Sequence, residues 1–246
     1  MTRAIIFDMG NTLMQFVRPG TGSWREFETP GIRGIYQYLI DQGHPIGSHV
    51  DDFVEAMFAR LAEGWAQSTG GHINLRAVDW IAAGAAAHAL TLDEAALLEA
   101  ARHYARPMRQ GVAATPGAVA TLAELRERGY RIGLISNTIW PAELHLEDLE
   151  TIGVLPYLEH PLFSGELGIW KPNPRVFRHS LELLGVAPAD AVFVGDSPRE
   201  DIVGAQGVGM RAVWMRGQEF PLGDVQPDAT IVTLPELLPI LERWGI

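Results

Sequence analysis

The apolar positions of this chain change period along its length, and each change predicts a different kind of element. A short run, Ala4-Ile5-Ile6-Phe7, stops abruptly at Asp8, and runs of this length and composition read as a buried strand of an α/β sheet. Residues 14–30 are irregular, rich in Gly and Pro. Helical spacing then takes over. Ile32, Ile35, Tyr36, Leu39 and Ile40 form one stripe, stopped by Gly43 and Pro45. Ser48-x-x-Asp51 resembles a capping box and opens a second helix, with Val50, Phe53, Val54, Met57, Phe58, Leu61 and Trp65 on one face. Thr69-Gly70-Gly71 breaks it. An Ala-rich helix is predicted over 75–89, and Thr91-x-x-Glu94 caps another that ends near Pro107. Residues 16–110 are thus expected to be helical, without a convincing strand.

At Thr115-Pro116, read as an N-cap followed by Pro in the first helical position, the pattern changes again. A helix with Val119, Leu122 and Leu125 closes at Gly129. Strands are then expected at 130–135, 160–163, 191–194, 211–215 and 230–232, with helices at 141–152, 174–184 and 198–205 between them. A last helix is capped by Thr233-x-x-Glu236. Helices between strands imply right-handed crossovers and a parallel sheet. The strand ending at Asp8 fits best in that same sheet. The expected fold is therefore α/β, a parallel sheet with the helical block inserted as a second domain between its first strand and the rest.

Composition narrows the function. Nineteen Lys and Arg against 30 Asp and Glu leave a net charge of -11, which argues against a nucleic-acid partner because phosphate backbones are held by clustered basic side chains. A small phosphorylated ligand held by a few local groups remains compatible. The absence of cysteine excludes disulfides and thiolate chemistry, and fits a reducing cytoplasm. Asp8 interrupts any secretory leader, and the weakly polar stretch from Trp80 to Leu90 is shorter than the roughly 20 residues a membrane span needs. A cytoplasmic protein without a membrane partner is expected; oligomeric state is left open.

Ligands of parallel α/β sheets bind just outside the carboxyl ends of the strands. Asp8 stands at one such end, and later strands deliver Ser136 and Asn137 at a second, and Asp196 with Ser197 and Asp201 at a third. Gly168-x-x-Lys171-Pro172-x-Pro174 places a lysine on a stiff loop ahead of a helix. If the sheet is parallel, Asp8, Ser136, Lys171, Asp196 and Asp201 meet at one edge. Carboxylates gathered in a cleft repel one another and stay ionised only around a cation. An oxygen-only ligand set points to a hard ion, Mg²⁺ before Ca²⁺ or Zn²⁺.

Asp8-x-Gly-Asn-Thr12, Leu134-Ile135-Ser136-Asn137, Gly168-x-x-Lys171-Pro172 and Gly195-Asp196-Ser197-x-x-x-Asp201 resemble, in order, the four motifs of the haloacid dehalogenase-like (HAD) hydrolase superfamily. The helical block, 16–111, resembles that family's cap inserted after the first motif, and the resemblance implies a Rossmann-like parallel sheet core over 1–15 and 112–246. The resemblance implies a Mg²⁺-dependent phosphatase acting on a small phosphorylated metabolite, such as a phosphomonoester or a sugar or acyl phosphate, through an aspartyl-phosphate. Asp8 would be nucleophile and Mg²⁺ ligand. Ser136 would hydrogen-bond the phosphoryl group, Lys171 would neutralise its charge, Asp196 would bind the metal, and Asp201 would support metal or lysine. Asn11, Thr12 and Asn137 are candidate substrate-binding residues.

One position departs from the phosphatase pattern. Where most such enzymes carry an acid–base Asp, this chain has Gly10; the resemblance implies that its carbonyl would still serve the metal, but it has no side chain to donate a proton. Alternatives are accordingly a 2-haloacid dehalogenase-type hydrolase, or a weakly catalytic binding protein on this scaffold. The eight His show no metal-ligand spacing, and His72 or His103 are candidates for the missing acid. Arg18, Trp24 and Arg25 read as a solvated linker, with substrate contact as the sharper alternative.

Overall fold

A strand that is apolar at every position must be covered on both faces, and β1 is buried at all four residues. The structure, a computed structural model, describes residues 3–16, 23–71, 74–217 and 220–246, with side chains omitted at 65–71. In chain order it runs β1 (Ala4–Phe7), β2 (Met14–Phe16), α1 (Trp24–Asp41), α2 (Val50–Gly71), α3 (Ala77–Ala87), α4 (Glu94–Arg109) and β3 (Val112–Ala114). It continues α5 (Ala118–Glu127), β4 (Arg131–Ser136), α6 (Ala142–Thr151), β5 (Leu162–Phe163), α7 (Ser164–Leu167) and α8 (Pro174–Leu183). The chain then forms β6 (Ala191–Gly195), α9 (Gly204–Gln206), β7 (Arg211–Met215), β8 (Ala229–Ile231) and α10 (Leu237–Trp244).

Six strands make one parallel sheet in the order β5-β4-β1-β6-β7-β8. Alternate side chains of each strand point to opposite faces, so Ile5 and Phe7 join one apolar cluster with Leu134 and Val194, while Ala4 and Ile6 join another with Ile135 and Phe193. Register carries the function. Phe7 lies opposite Leu134 on one side and Val194 on the other, which brings the ends of β1, β4 and β6 level.

Helices α1 to α4 pack around a third cluster that includes Ile35, Phe53, Met57, Trp80 and Tyr104. Ile139, Trp140 and Leu144, beyond β4, belong to it too, so the helical block and the sheet share apolar surface. Ion pairs from Arg102 and Arg109 of α4 to Glu143, Glu147 and Asp148 of α6 add to that junction. Among the described residues no helix is long and apolar enough to cross a membrane.

Several local expectations are corrected. Met14–Phe16 is not irregular: it pairs antiparallel with Val112–Ala114, a ribbon too short to show a period and closed by a partner about a hundred residues away. α1 starts at Trp24, under a capping box of Ser23 and Glu26, and carries Pro30 inside it. Asp93, not Thr91, caps α4 by accepting from Ala96 N, and α4 runs past Pro107 to Arg109. Gly117, with φ of 83°, precedes α5 where Thr115 was expected to cap it. Residues 198–203 form a π-helical turn rather than an α-helix.

Candidate active site

Asp8 N donates to Val194 O at 2.8 Å, so β1 delivers its carboxylate beside the end of β6. Lys171 comes from the loop after α7 and is almost fully buried. Its Nζ lies 2.6 Å from Asp8 Oδ1 and 2.7 Å from Asp201 Oδ1, and donates to Ile135 O at 3.0 Å. The π-helical turn curls Asp201 back so that its Oδ2 accepts from Ser197 N at 3.0 Å. Space there is reserved for the carboxylate, because a Cβ on Gly195 would lie 2.3 Å from Asp201 Oδ2. Asp196 accepts from Asn11 Nδ2 at 3.0 Å, and its carbonyl is fixed by Trp214 Nε1 at 2.8 Å. Asn11 takes φ of 56°, a left-handed conformation that Asn tolerates better than most residues.

Asp8, Ser136, Lys171, Asp196 and Asp201 all line one cavity of about 820 Å³ between the sheet edge and the helical block. The remaining expected site residues divide. Asn11 and Gly10 are on the cavity wall, whereas Thr12 is fully buried behind it, with its hydroxyl lacking a partner among the described residues. Asn137 also lines the cavity, but its amide is engaged. Its Oδ1 accepts from Lys171 N at 2.8 Å, and its Nδ2 donates to Lys171 O at 3.1 Å and Glu200 Oε2 at 2.9 Å. Asn137 therefore holds the lysine loop in place.

Sequence reasoning missed two contributors to the wall, Glu28 and Glu200. Trp24 and Arg25, read as a solvated linker with substrate contact as the alternative, open α1 instead; both are exposed and both line the cavity. Glu28 lies one turn further along α1, and Glu200 accepts from Trp170 Nε1 at 3.4 Å. The capping signal of Ser23 and Glu26 would have set the helical phase that puts Trp24, Arg25 and Glu28 on the cavity wall. His103 does not line the cavity and stacks on Tyr38 with ring centroids 4.9 Å apart. Arg18 and His72 lie outside the described residues. His145 does reach the cavity wall, but burial, and then Arg109, pull its imidazole down to about 3, so it stays neutral at physiological pH.

The carboxylates carry the imprint of crowding. Burial raises Asp8 from its ordinary 3.8 to about 6, opposed by Lys171 and reinforced by Asp201. Asp196 is raised to about 8 by burial, then by Asp8 and Asp201. Burial alone would lower the Lys171 ammonium, but Asp201 and Asp8 more than offset it and hold the group charged. Asp8, Asp196 and Asp201 each present an oxygen within 4.8 Å of the others. Buried, oxygen-only and deficient in positive charge, this donor set fits a hard divalent cation.

A model of the haloacid dehalogenase-like hydrolases matches residues 2–209. A phosphoserine phosphatase of Thermus thermophilus is 42% identical over 123 residues, 50% of this chain and 49% of the relative. The chain spans about half the length of the curated relatives it matches at this level. A HAD phosphatase from Thermococcus onnurineus superimposes with a TM-score of 0.64 at 27% identity, over 98% of each chain. A 2-haloacid dehalogenase from Pseudomonas syringae pv. tomato gives 0.70 at 25%, over 99% of this chain and 100% of the other. The family match covers most of the chain and agrees with the sheet order and the four strand-end motifs. This protein belongs to the haloacid dehalogenase-like hydrolase family.

Proposed function

We propose that the protein is a Mg²⁺-dependent phosphatase of small phosphorylated metabolites, with residues 16–111 serving as a cap and Asp8 as the group that accepts the phosphoryl. One observation carries this reading: a buried lysine pinned between Asp8 and Asp201, with Asp196 beside them, at the floor of a ligand-sized cavity. An Asp8 oxygen attacks phosphorus as the bond to the leaving oxygen breaks, giving an acyl phosphate on Asp8 that water then cleaves. The Lys171 ammonium compensates charge on the phosphoryl oxygens, and the Ser136 hydroxyl donates to one of them. Asp8, Asp196, Asp201 and the Gly10 carbonyl would hold Mg²⁺. When bound, it supplies the charge compensation that lets a carboxylate approach an anionic phosphate.

The raised carboxyls predict a pH signature. A carboxyl with a folded pKa above its unfolded value stabilises the fold most below the unfolded pKa, and that contribution is lost as pH rises through the folded pKa. The metal-free protein is therefore expected to lose stability between about pH 4 and about pH 8, the span from the ordinary carboxyl value to that of Asp196. Mg²⁺ at a fixed concentration, about a hundred times its Kd at pH 8, should raise Tm by about 5–10 °C at pH 8 and by much less at pH 5, where its Kd is weaker. Calorimetric scans with Mg²⁺ or EDTA at both pH values check this; equal shifts at the two would refute the coupling.

Gly10 predicts a dependence on the leaving group. With no side chain to donate a proton there, acyl and anomeric phosphates are expected to turn over faster than alkyl phosphates. A Cβ built on Gly10 meets nothing within 4 Å, so Gly10→Asp should fit and raise kcat for alkyl phosphates about 10²-fold. The test is a leaving-group series on both proteins with Mg²⁺. A flat series for the parent, unchanged in Gly10→Asp, would mean that the proton comes from elsewhere.

Halide displacement is the second reading, favoured by Gly10 and by the similarity to the Pseudomonas dehalogenase. The retained Asp196, paired with Asn11 beside Asp8, weighs against it. Halide release from a 2-haloacid in EDTA, with no phosphate release in Mg²⁺, would reverse the preference.

A further inference from the structure

The two ends of the cavity differ in chemistry. Asp8, Ser136 and Lys171 mark the floor, whereas the end toward the helical block is walled by Phe16, Trp24, Phe27, Phe58 and Trp140. At about 820 Å³ the space has room for a ligand that reaches from the floor to those rings.

Among the described residues that line this end, the carboxylate is that of Glu28. It is half-buried and forms no ion pair among the described residues. Arg25, one turn earlier, does not neutralise it: that guanidinium pairs with Glu55 and lies 4.2 Å from the centroid of Phe58. Behind Glu28 is Tyr104 of α4, fully buried, with a hydroxyl that has no partner of normal hydrogen-bond geometry among the described residues. Burial pushes the Glu28 carboxyl above its ordinary value, partly opposed by Tyr104. The Tyr104 hydroxyl is raised by its own burial and then by Glu28. An anion placed against apolar rings is costly unless a cation completes it. Aromatic faces favour a cation as well, so wall and carboxylate ask for the same group. A second phosphate or a carboxylate at that end would meet repulsion from Glu28.

We propose that Glu28 is a specificity-determining residue that receives a protonated amino group of the substrate, so that the phosphomonoesters taken here carry an amine on an extended aromatic or apolar body. The inference rests on the phosphatase reading for its phosphate end. Its own content, an amine at the far end, is separable by experiment.

Tyramine O-phosphate and para-ethylphenyl phosphate share a body and a leaving group and differ in the ammonium alone. The protein is expected to prefer the amine in kcat/KM by about tenfold to a hundredfold, the worth of a hydrogen bond to a charged group. Glu28→Gln keeps the shape and should bring that ratio close to one. Because the readout is a ratio within one protein, a general loss of folding does not mimic it. The same pair titrated calorimetrically into Asp8→Asn protein with Mg²⁺ reads the contact without turnover. Discrimination in binding without any hydrolysis by the parent would sink the phosphatase reading and support the role of Glu28. Equal affinity for the two compounds, or a preference that survives Glu28→Gln, overturns the proposal.

Discussion

Asp8→Asn protein is expected to fold normally and to lose phosphatase turnover by about 10⁴-fold or more. On the proposed mechanism the amide keeps the shape of the side chain but removes the anionic oxygen that would bond to phosphorus. Loss of a nucleophile differs in kind from loss of a helper such as the absent acid at Gly10, worth about 10²–10⁴. Stability should not follow activity downward. The ionised form of Asp8 is disfavoured in the folded state, as its rise to about 6 records, so a neutral isostere relieves repulsion with Asp201 and Asp196 at pH 8. Lys171 retains Asp201 and the Ile135 carbonyl as partners. Measured together, kcat with Mg²⁺ and Tm without it decide the matter. Turnover within tenfold of the parent would remove Asp8 from the chemistry.

Lys171→Met should cost more in stability than any other single change at the site. The ammonium is buried and touches two carboxylates and a carbonyl, and taking one partner out of a buried ionic cluster typically costs about 3–5 kcal/mol. For a chain of this size the loss corresponds to roughly 10 °C in Tm. It should depend on pH with a definite sign. Above about 6, the value of Asp8, the lysine stabilises an ionised carboxylate; below it Asp8 is protonated and has less to lose. The deficit of Lys171→Met is thus expected to be larger at pH 8 than at pH 5. Turnover should fall by at least about 10²–10³, in line with removal of one preorganised donor to developing negative charge. Urea unfolding at the two pH values checks the stability claim, and a variant as stable as the parent at pH 8 would contradict it.

The parts of this protein that could be read from residues alone are those whose determinants are local. Asp8, Ser136, Asp196 and Asp201 sit at the ends of short apolar runs or one helical turn beyond, and Lys171 lies between Gly168 and Pro174. Strand type and parallel pairing then suffice to bring them to one edge, and the structure does gather them there. Turn chemistry was less legible, because competing residues lay side by side. Thr91 and Asp93 are both good caps, and the helical phase selects Asp93. Thr115 and Gly117 both precede α5, and the left-handed backbone falls to Gly117, which has no Cβ to resist it. The ribbon of β2 and β3 exists only because residues far apart in sequence meet.

The sequence by itself determined the strands of the parallel sheet, the helical block after the first of them and the charged strand ends, since each follows from hydrophobic period and local backbone preference. Tertiary structure decided which further residues line the cavity. Glu28, Trp24 and Glu200 carry no motif, and their place on the cavity wall depends on how α1 and the π-helical turn are rotated against their neighbours. The same holds for Thr12, which shares a motif with Asp8 yet points into the interior. The amount of buried charge also belongs to the assembled site, because repulsion among Asp8, Asp196 and Asp201 arises only when β1 and β6 align in register.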